Sequence, residues 1–325
     1  MIPSRRLHLS RPLTFVLLVW LATGGCSIRR MAMNQVANAM TQAVGGRTFT
    51  GDNDPELVGA ALPFAIKLYE SLLEGMPRHE GLQLRTGSLY VMYANAFLYT
   101  PATILSSEEY RLQEIQFKRA KNLYLRGRDI LLDGLEKRYP GLREELQQRR
   151  YDGVLRGVDK HHVPFLYWAG AGWLGAFAID PFDMDLGLTI PAAAAMMDRV
   201  LALDPGFGNG SIHEFYCLYY GSMPEYMGGD AAKARHHYSV AMEQSRNRST
   251  SAPLNLATTV SVKEQNVVEF RELLNSVLSV DPDSDLDNRL LITINQRRAR
   301  WLIEHTADLF VELDKAGAVS SEEVK

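Results

Sequence analysis

From Pro55 onward, apolar residues recur every three or four positions, and prolines interrupt the pattern at intervals. Leu62, Ile66, Tyr69 and Leu73 fall on one stripe, as do Leu89, Met92, Ala96 and Tyr99. Leu112, Ile115, Leu123, Ile130 and Leu131 continue it through a long charged stretch. A period near 3.6 places such positions on one helix face, and the two-residue alternation of a half-buried strand is almost absent. Ser106-x-x-Glu109 has the form of a capping box, and Pro63, Pro164 and Pro191 stand where first helical turns begin. Tyr139-Pro140-Gly141, Asp204-Pro205-Gly206 and Asp281-Pro282 mark helix ends. The pattern predicts an all-α chain.

A series of short helices calls for a search for an internal period. Counting back from Pro282 gives Leu254, Ala257-Thr258, Ser261, Phe270, Leu274 and Val277. That is the order of small, aromatic and closing positions in a tetratricopeptide unit of ~34 residues. Counting back from Pro205 gives Ala193, Met197 and Val200 as a second helix. Its first helix carries Trp168, Ala171-Gly172 and Gly175, displaced by an insertion around 180–187. Gly228-Gly229-Asp230 opens a further helix with Ala234, Tyr238 and Ala241, and Pro140 closes a weaker copy with Leu132 and Leu135. Small residues let paired helices approach, while aromatics fill the space between pairs. One pair cannot bury its own apolar face, so pairs stack. The expected fold is all-α: a tetratricopeptide-like helical-repeat solenoid of antiparallel helix pairs over residues 55–315, with a flexible tail at 316–325.

The N-terminal stretch reads as an address. Arg5, Arg6 and Arg11 form a basic region, residues 12–22 (PLTFVLLVWLA) are uncharged and apolar, and Thr23-Gly24-Gly25 are small. The apolar run falls short of the ~20 residues that span a bilayer, so residues 1–25 fit a cleaved secretory signal. Residues 21–26 (LATGGC) resemble a bacterial lipobox, which makes Cys26 the expected lipidation site and 26–54 a lipidated tether. Thr23, where Leu is usual, departs from that pattern. Ser27 after the cysteine, by resemblance to sorted lipoproteins, favours the outer membrane. Cys217 sits in an aromatic run and reads as a small buried hydrophobe.

Composition narrows the classes further. Apolar residues make up 46% and charged residues 22% of the 325, near the soluble globular average, which argues against wholesale disorder or a membrane bundle. A formal charge of −3 lacks the basic footprint of a nucleic-acid binder. Loss of three arginines with the leader makes the mature chain more acidic still.

Several segments together resemble the T component associated with TRAP transporters, the TatT family. They are 118–140 (KRAKNLYLRGRDILLDGLEKRYP), 165–175 (FLYWAGAGWLG), 201–205 (LALDP), 221–243 (GSMPEYMGGDAAKARHHYSVAME) and 295–304 (NQRRARWLIE). Each is a helix-packing pattern; their combination and order are distinctive. The resemblance implies an all-α protein in the periplasm that works beside the solute-binding P subunit of an organic-acid transporter. It brings no catalytic motif and no cofactor. The leading expectation is a non-enzymatic scaffold lipoprotein. The alternatives are a general outer-membrane assembly scaffold and a hydrolase with an unrecognised site. A closed, cyclic homo-oligomer is a further possibility that the sequence does not locate.

Candidate sites follow from residue type. His161-His162 and His236-His237 are adjacent pairs, and neighbours on a helix point ~100° apart, unlike the H-E-x-x-H pair of a zinc site. Asp180, Asp183, Asp185 and Gly187 lack the length and closing Glu of a calcium loop, so no metal is expected. No G-x-S-x-G elbow or phosphate-binding Gly-rich loop occurs. Tyr167, Trp168 and Trp173 lie on one first helix, with Phe215, Tyr216, Tyr219 and Tyr220 on the next. They are either core packing or the wall of a cleft for a small organic acid or a partner, since Tyr and Trp pair an apolar face with a polar handle. Arg297, Arg298 and Arg300 form either a solvated face or a site for carboxylates of a partner or solute. Lys118, Arg119, Lys121, Arg126 and Arg128 allow the same two readings.

Overall fold

The computed structural model describes residues 31, 33–41 and 47–311, and the regular elements among them are all helical. Cys26 and the tail 316–325 lie outside the described residues. The first long helix, α1 (Pro55–Gly75), starts where Asp54 Oδ1 accepts a hydrogen bond from Leu57 N at 3.0 Å and Pro55 occupies the first turn. Pro63 lies inside α1, not at a start. The Asp54-Pro55 signal upstream has already opened the helix, and burial of Val58, Leu62, Ile66 and Tyr69 on both sides of the proline offsets a cost of ~3 kcal/mol.

Helix α2 (Glu80–Tyr93) runs on into a π-helical turn, Ala94–Tyr99. The Ser106/Glu109 capping box forms as expected and leads into α3 (Tyr110–Arg138), which ends before Pro140. Two short helices follow, α4 (Leu142–Gln147) and α5 (Tyr151–Arg156). Pro164 and Pro191 occupy the first turns of α6 (Val163–Ile179) and α7 (Ile190–Leu203). Helix α8 (Ser211–Ser222) precedes α9 (Ala231–Gln244), whose first turn is capped by Asp230. Helix α10 (Ser251–Leu256) continues as a second π-helical turn, Ala257–Ser261. Helices α11 (Val267–Ser279) and α12 (Arg289–Glu304) follow, with a single turn, Thr306–Leu309, after them.

Glycines set the closest helix approaches. A Cβ on Gly87 would meet Leu131 Cγ at 2.4 Å, and one on Gly127 would meet the Gly87 carbonyl oxygen at 2.7 Å. Only the smallest residue lets the α2 and α3 backbones come together there. Gly134 on α3 faces Phe165 on α6, while Gly172 and Gly175 on α6 face Tyr124 on α3. As numbers fall along α3 they rise along α6, so the two helices run in opposite directions. On α6, Gly172 also meets Val91 of α2.

The core has three parts. A central cluster draws on α2, α3, α6 and α7 and extends to Ile212 and Tyr216 of α8. A C-terminal cluster gathers Cys217, Leu254, Phe270, Leu274, Val277 and Ala299. A third joins Val58, Leu62, Ile66, Tyr69 and Leu82 to Leu290 and Ile294 of α12. The last long helix therefore packs against the first ones, and the arrangement closes on itself. Part of the 26–54 stretch joins this third cluster: residues 33–41 are helical and Ala37 is buried. Tyr69 Oη donates to the Met40 carbonyl at 2.9 Å, and Arg85 donates to the Thr41 carbonyl at 3.1 Å. Against the periodicity, Leu112 and Ile115 are exposed. The buried stripe of α3 starts at Ala120, beyond the first turns, and runs through Tyr124 and Leu131 to Leu135.

Candidate functional site

Helix α6 is apolar on all sides, as a helix enclosed by neighbours must be. Its aromatics divide. Trp173 is 7% exposed; its Nε1 donates to Thr189 Oγ1 at 2.9 Å and the Arg128 guanidinium lies 4.8 Å from its ring centroid. Tyr167 and Trp168 are half-buried and meet edge to face at 5.5 Å. Tyr167 also packs on Phe207 at 4.8 Å. Trp173 thus belongs to the core, and Tyr167 and Trp168 to a less sealed face.

Helix α8 divides in the same way. Tyr216 is 4% exposed and its hydroxyl donates to Asp198 of α7. Tyr220 is half-buried, stacks on Tyr216 at 5.7 Å and carries Lys233 Nζ 5.2 Å above its ring. His237 of α9 stacks on both tyrosines. Its Nδ1 lies 2.9 Å from His213 Nδ1, while His213 Nε2 lies 3.2 Å from the Pro205 carbonyl. A carbonyl only accepts, so the geometry assigns the Nε2 proton to His213, whose Nδ1 then accepts from His237. Burial pushes His237 down to about 4, helped by the neighbouring His213 and His236. His213 is shifted the same way, mainly by burial. Both rings are neutral near pH 7.

Polar groups also lie deep inside. Glu214, in the first turn of α8, accepts a hydrogen bond from Ser249 Oγ, and burial pushes its carboxyl above the usual range. Burial likewise raises the Tyr167 phenol, with the Glu214 charge adding to it. Desolvation lowers Arg298 on α12, against an opposing interaction with Tyr99 at the end of the α2 π-turn. Tyr99, Tyr167, Glu214 and Arg298 are each only half-buried.

Most of the remaining charged candidates have partners. Arg297 is exposed and pairs with Glu56 of α1. Arg300 is exposed. Lys121 holds Asp180 and Asp183, each at 2.7 Å, so the acidic turn after α6 is tied to α3. Arg126 pairs with Glu70, and Arg128 with Asp129 at 2.8 Å. His162 lies 2.9 Å from Asp159 and 3.0 Å from Tyr139 Oη. Among the described residues, no three His, Cys, Asp or Glu side chains gather as a metal site would need. Cys217 is fully buried, and desolvation raises its thiol to about 12. Such a thiol is inert.

Sequence reasoning did not single out Tyr99, Asp198 or the His213–His237 contact as parts of a site. Glu214 carried a usable signal: it is an acidic residue inside an aromatic helix, where a carboxylate is easily desolvated. The His213–His237 contact had none, because it joins two helices 24 positions apart.

Comparison with known proteins places these helices in one family. A family model described as "TRAP transporter T-component" matches residues 51–310, from the turn before α1 to beyond α12. A protein of Treponema pallidum (strain Nichols), described as an uncharacterized protein, is 34% identical over 307 residues. That alignment covers 90% of this chain and 95% of the relative. The family is one of membrane-transport components, not of enzymes. With the family model running from α1 through α12, the chain belongs to the TRAP transporter T-component family.

Proposed function

We propose that this protein is a lipid-anchored scaffold on the periplasmic face of the bacterial outer membrane. It docks the solute-binding P subunit of a TRAP transporter and assists uptake of an organic acid or similar small solute. The family match over residues 51–310 carries this reading. The stacked helices are read as a tetratricopeptide-like solenoid of antiparallel pairs, closed by α12 against α1. Burial of Ala193, Met197, Val200, Ala257, Phe270 and Leu274 agrees with the repeat positions. The protein is assigned no catalytic role and no cofactor.

The two ends of the helix array support a division of labour. Residues 33–41 dock beside His79 and Arg85, at the start of α2. Cys26 lies only a few positions before Met31, so its acyl chains would leave from this end. Tyr167 in α6 and Glu214 in α8 interact within the early turns of their helices, so both helices start at one end. The connections after their far ends, which include short helical turns, carry Phe182, 90% exposed, Met184, 77%, and Tyr226, 87%. Apolar side chains grouped on exposed loops mark an interaction surface. We assign the P subunit to this rim. The exposed stripe Leu57, Phe64 and Leu68 on α1 is the surface we assign to a second copy in a cyclic oligomer.

Two measurements test the reading. Mass spectrometry of the mature N-terminus should find a diacylated Cys26; an unmodified terminus elsewhere contradicts the anchor. Capture from periplasmic extract should recover a TRAP-type solute-binding subunit. Recovery only of outer-membrane assembly factors would favour a general assembly scaffold instead.

A further inference from the structure

Four arginines among the described residues have an Nε that is buried and makes no hydrogen bond: Arg143, Arg199, Arg289 and Arg298. The first three are anchored through another nitrogen. Arg143 reaches Asp133 at 2.6 Å, Arg199 the Val158 carbonyl at 2.7 Å, and Arg289 Asp283 at 2.6 Å. Arg298 has no hydrogen bond and no ion pair to any described residue. Its neighbour Arg297, by contrast, is exposed and holds Glu56. Asn295, one turn earlier on α12, is engaged by Thr250 and Ser251. Arg298 interacts electrostatically with the Tyr99 phenol, on the π-helical turn of α2. π-Helical turns recur at functional sites.

We propose that Arg298 is an anion site inside the protein, which receives the carboxylate of a small organic acid beside the Tyr99 hydroxyl. The guanidinium offers a planar fork of donors that matches a carboxylate with two parallel hydrogen bonds. A buried charge without a partner is costly, and an incoming anion removes that cost. One cation matches one anionic charge, so a monocarboxylate fits better than a dicarboxylate or phosphate, whose second charge would be desolvated without compensation. Tyr99 supplies an apolar ring for the body of the acid and a hydroxyl that can donate or accept. This site rests on the solute-handling part of the proposed function and names the chemistry it requires.

The test uses the purified, full-length lipoprotein in detergent, titrated calorimetrically with hexanoate, phenylacetate, succinate, inorganic phosphate and the neutral hexanamide. Hexanoate or phenylacetate should bind, with hexanamide weaker by about tenfold or more, a difference of ~1.4 kcal/mol. Arg298→Gln should lower carboxylate affinity by a similar factor, Arg298→Lys should retain part of it, and Arg300→Gln should leave it unchanged. Arg298→Met covers the case in which Arg298→Gln fails to fold: it should melt at or above the wild-type temperature and lose the shift that hexanoate produces. Equal binding of acid and amide overturns the proposal. So does unchanged carboxylate binding by Arg298→Gln, or no binding of either monocarboxylate to wild type. Capture of the P subunit is measured on the same preparations. Capture without carboxylate binding removes this site alone, whereas loss of capture in wild type removes the scaffold reading.

Discussion

Arg297 on α12 and Glu56 at the start of α1 form an ion pair across 241 positions of sequence, with Arg297 Nη2 3.1 Å from Glu56 Oε2. Their side chains are 47% and 71% exposed, and pairs exposed to that degree contribute ~0–1 kcal/mol. Beneath them, Leu290 and Ile294 pack with Val58 and Leu62. The apolar contact holds the seam, and the ion pair fixes its register.

Glu56→Gln should therefore change unfolding free energy by less than about 1 kcal/mol. Leu290→Ala should cost ~2–5 kcal/mol, as large-to-small changes in cores do. Urea titration of the two variants decides. Equal losses would show that the seam is electrostatic, against this account.

The aromatics of α6 should separate by role. Trp173 is sealed and hydrogen-bonded, so Trp173→Ala is expected to cost ~3–5 kcal/mol. Trp168 and Tyr220 are half-buried, so Trp168→Ala and Tyr220→Ala should lose less stability while weakening solute or partner binding. If both destabilise as strongly as Trp173→Ala and the folded fraction binds normally, these side chains are packing only.

The His213–His237 contact makes stability depend on pH. His237 is held at about 4 in the folded chain against an ordinary 6.5, so between these values the unfolded chain binds more protons. Its stabilising effect is complete above the ordinary value and is lost as pH falls toward the folded one, on the order of 1–3 kcal/mol. Protonation of His213 at Nδ1 would also set two N–H groups against each other at the 2.9 Å contact. Melting temperatures of wild type and His237→Gln, compared from pH 7 to pH 4.5, should show a steeper fall in wild type. Parallel curves would contradict the lowered value of His237.

Much of the helical order could be read from local chemistry. Asp54-Pro55, Ser106/Glu109, Pro164 and Pro191 each act within a turn, and each starts a helix or the turn leading into one. Pro63 and the stripe through Leu112 and Ile115 misled because their outcomes depend on what packs nearby, which periodicity does not encode. The aromatic helices stood out by composition, but which ring is sealed does not follow from residue type: Trp168 and Trp173 differ through Thr189 and Arg128, both outside α6. Arg298 could be named from sequence alongside Arg297 and Arg300. Its lack of a partner could not, because that depends on which side chains of other helices surround it.

Docking of a TRAP solute-binding subunit is proposed for the rim carrying Phe182, Met184 and Tyr226. Its most direct test is a calorimetric titration of the purified protein with the purified P subunit of the same transporter. Saturable, stoichiometric binding is expected, weakened about tenfold or more by the triple change Phe182→Ser, Met184→Ser, Tyr226→Ser, because central apolar residues dominate interface energy. Absence of binding by wild type, or binding that the triple variant leaves unchanged, would contradict it.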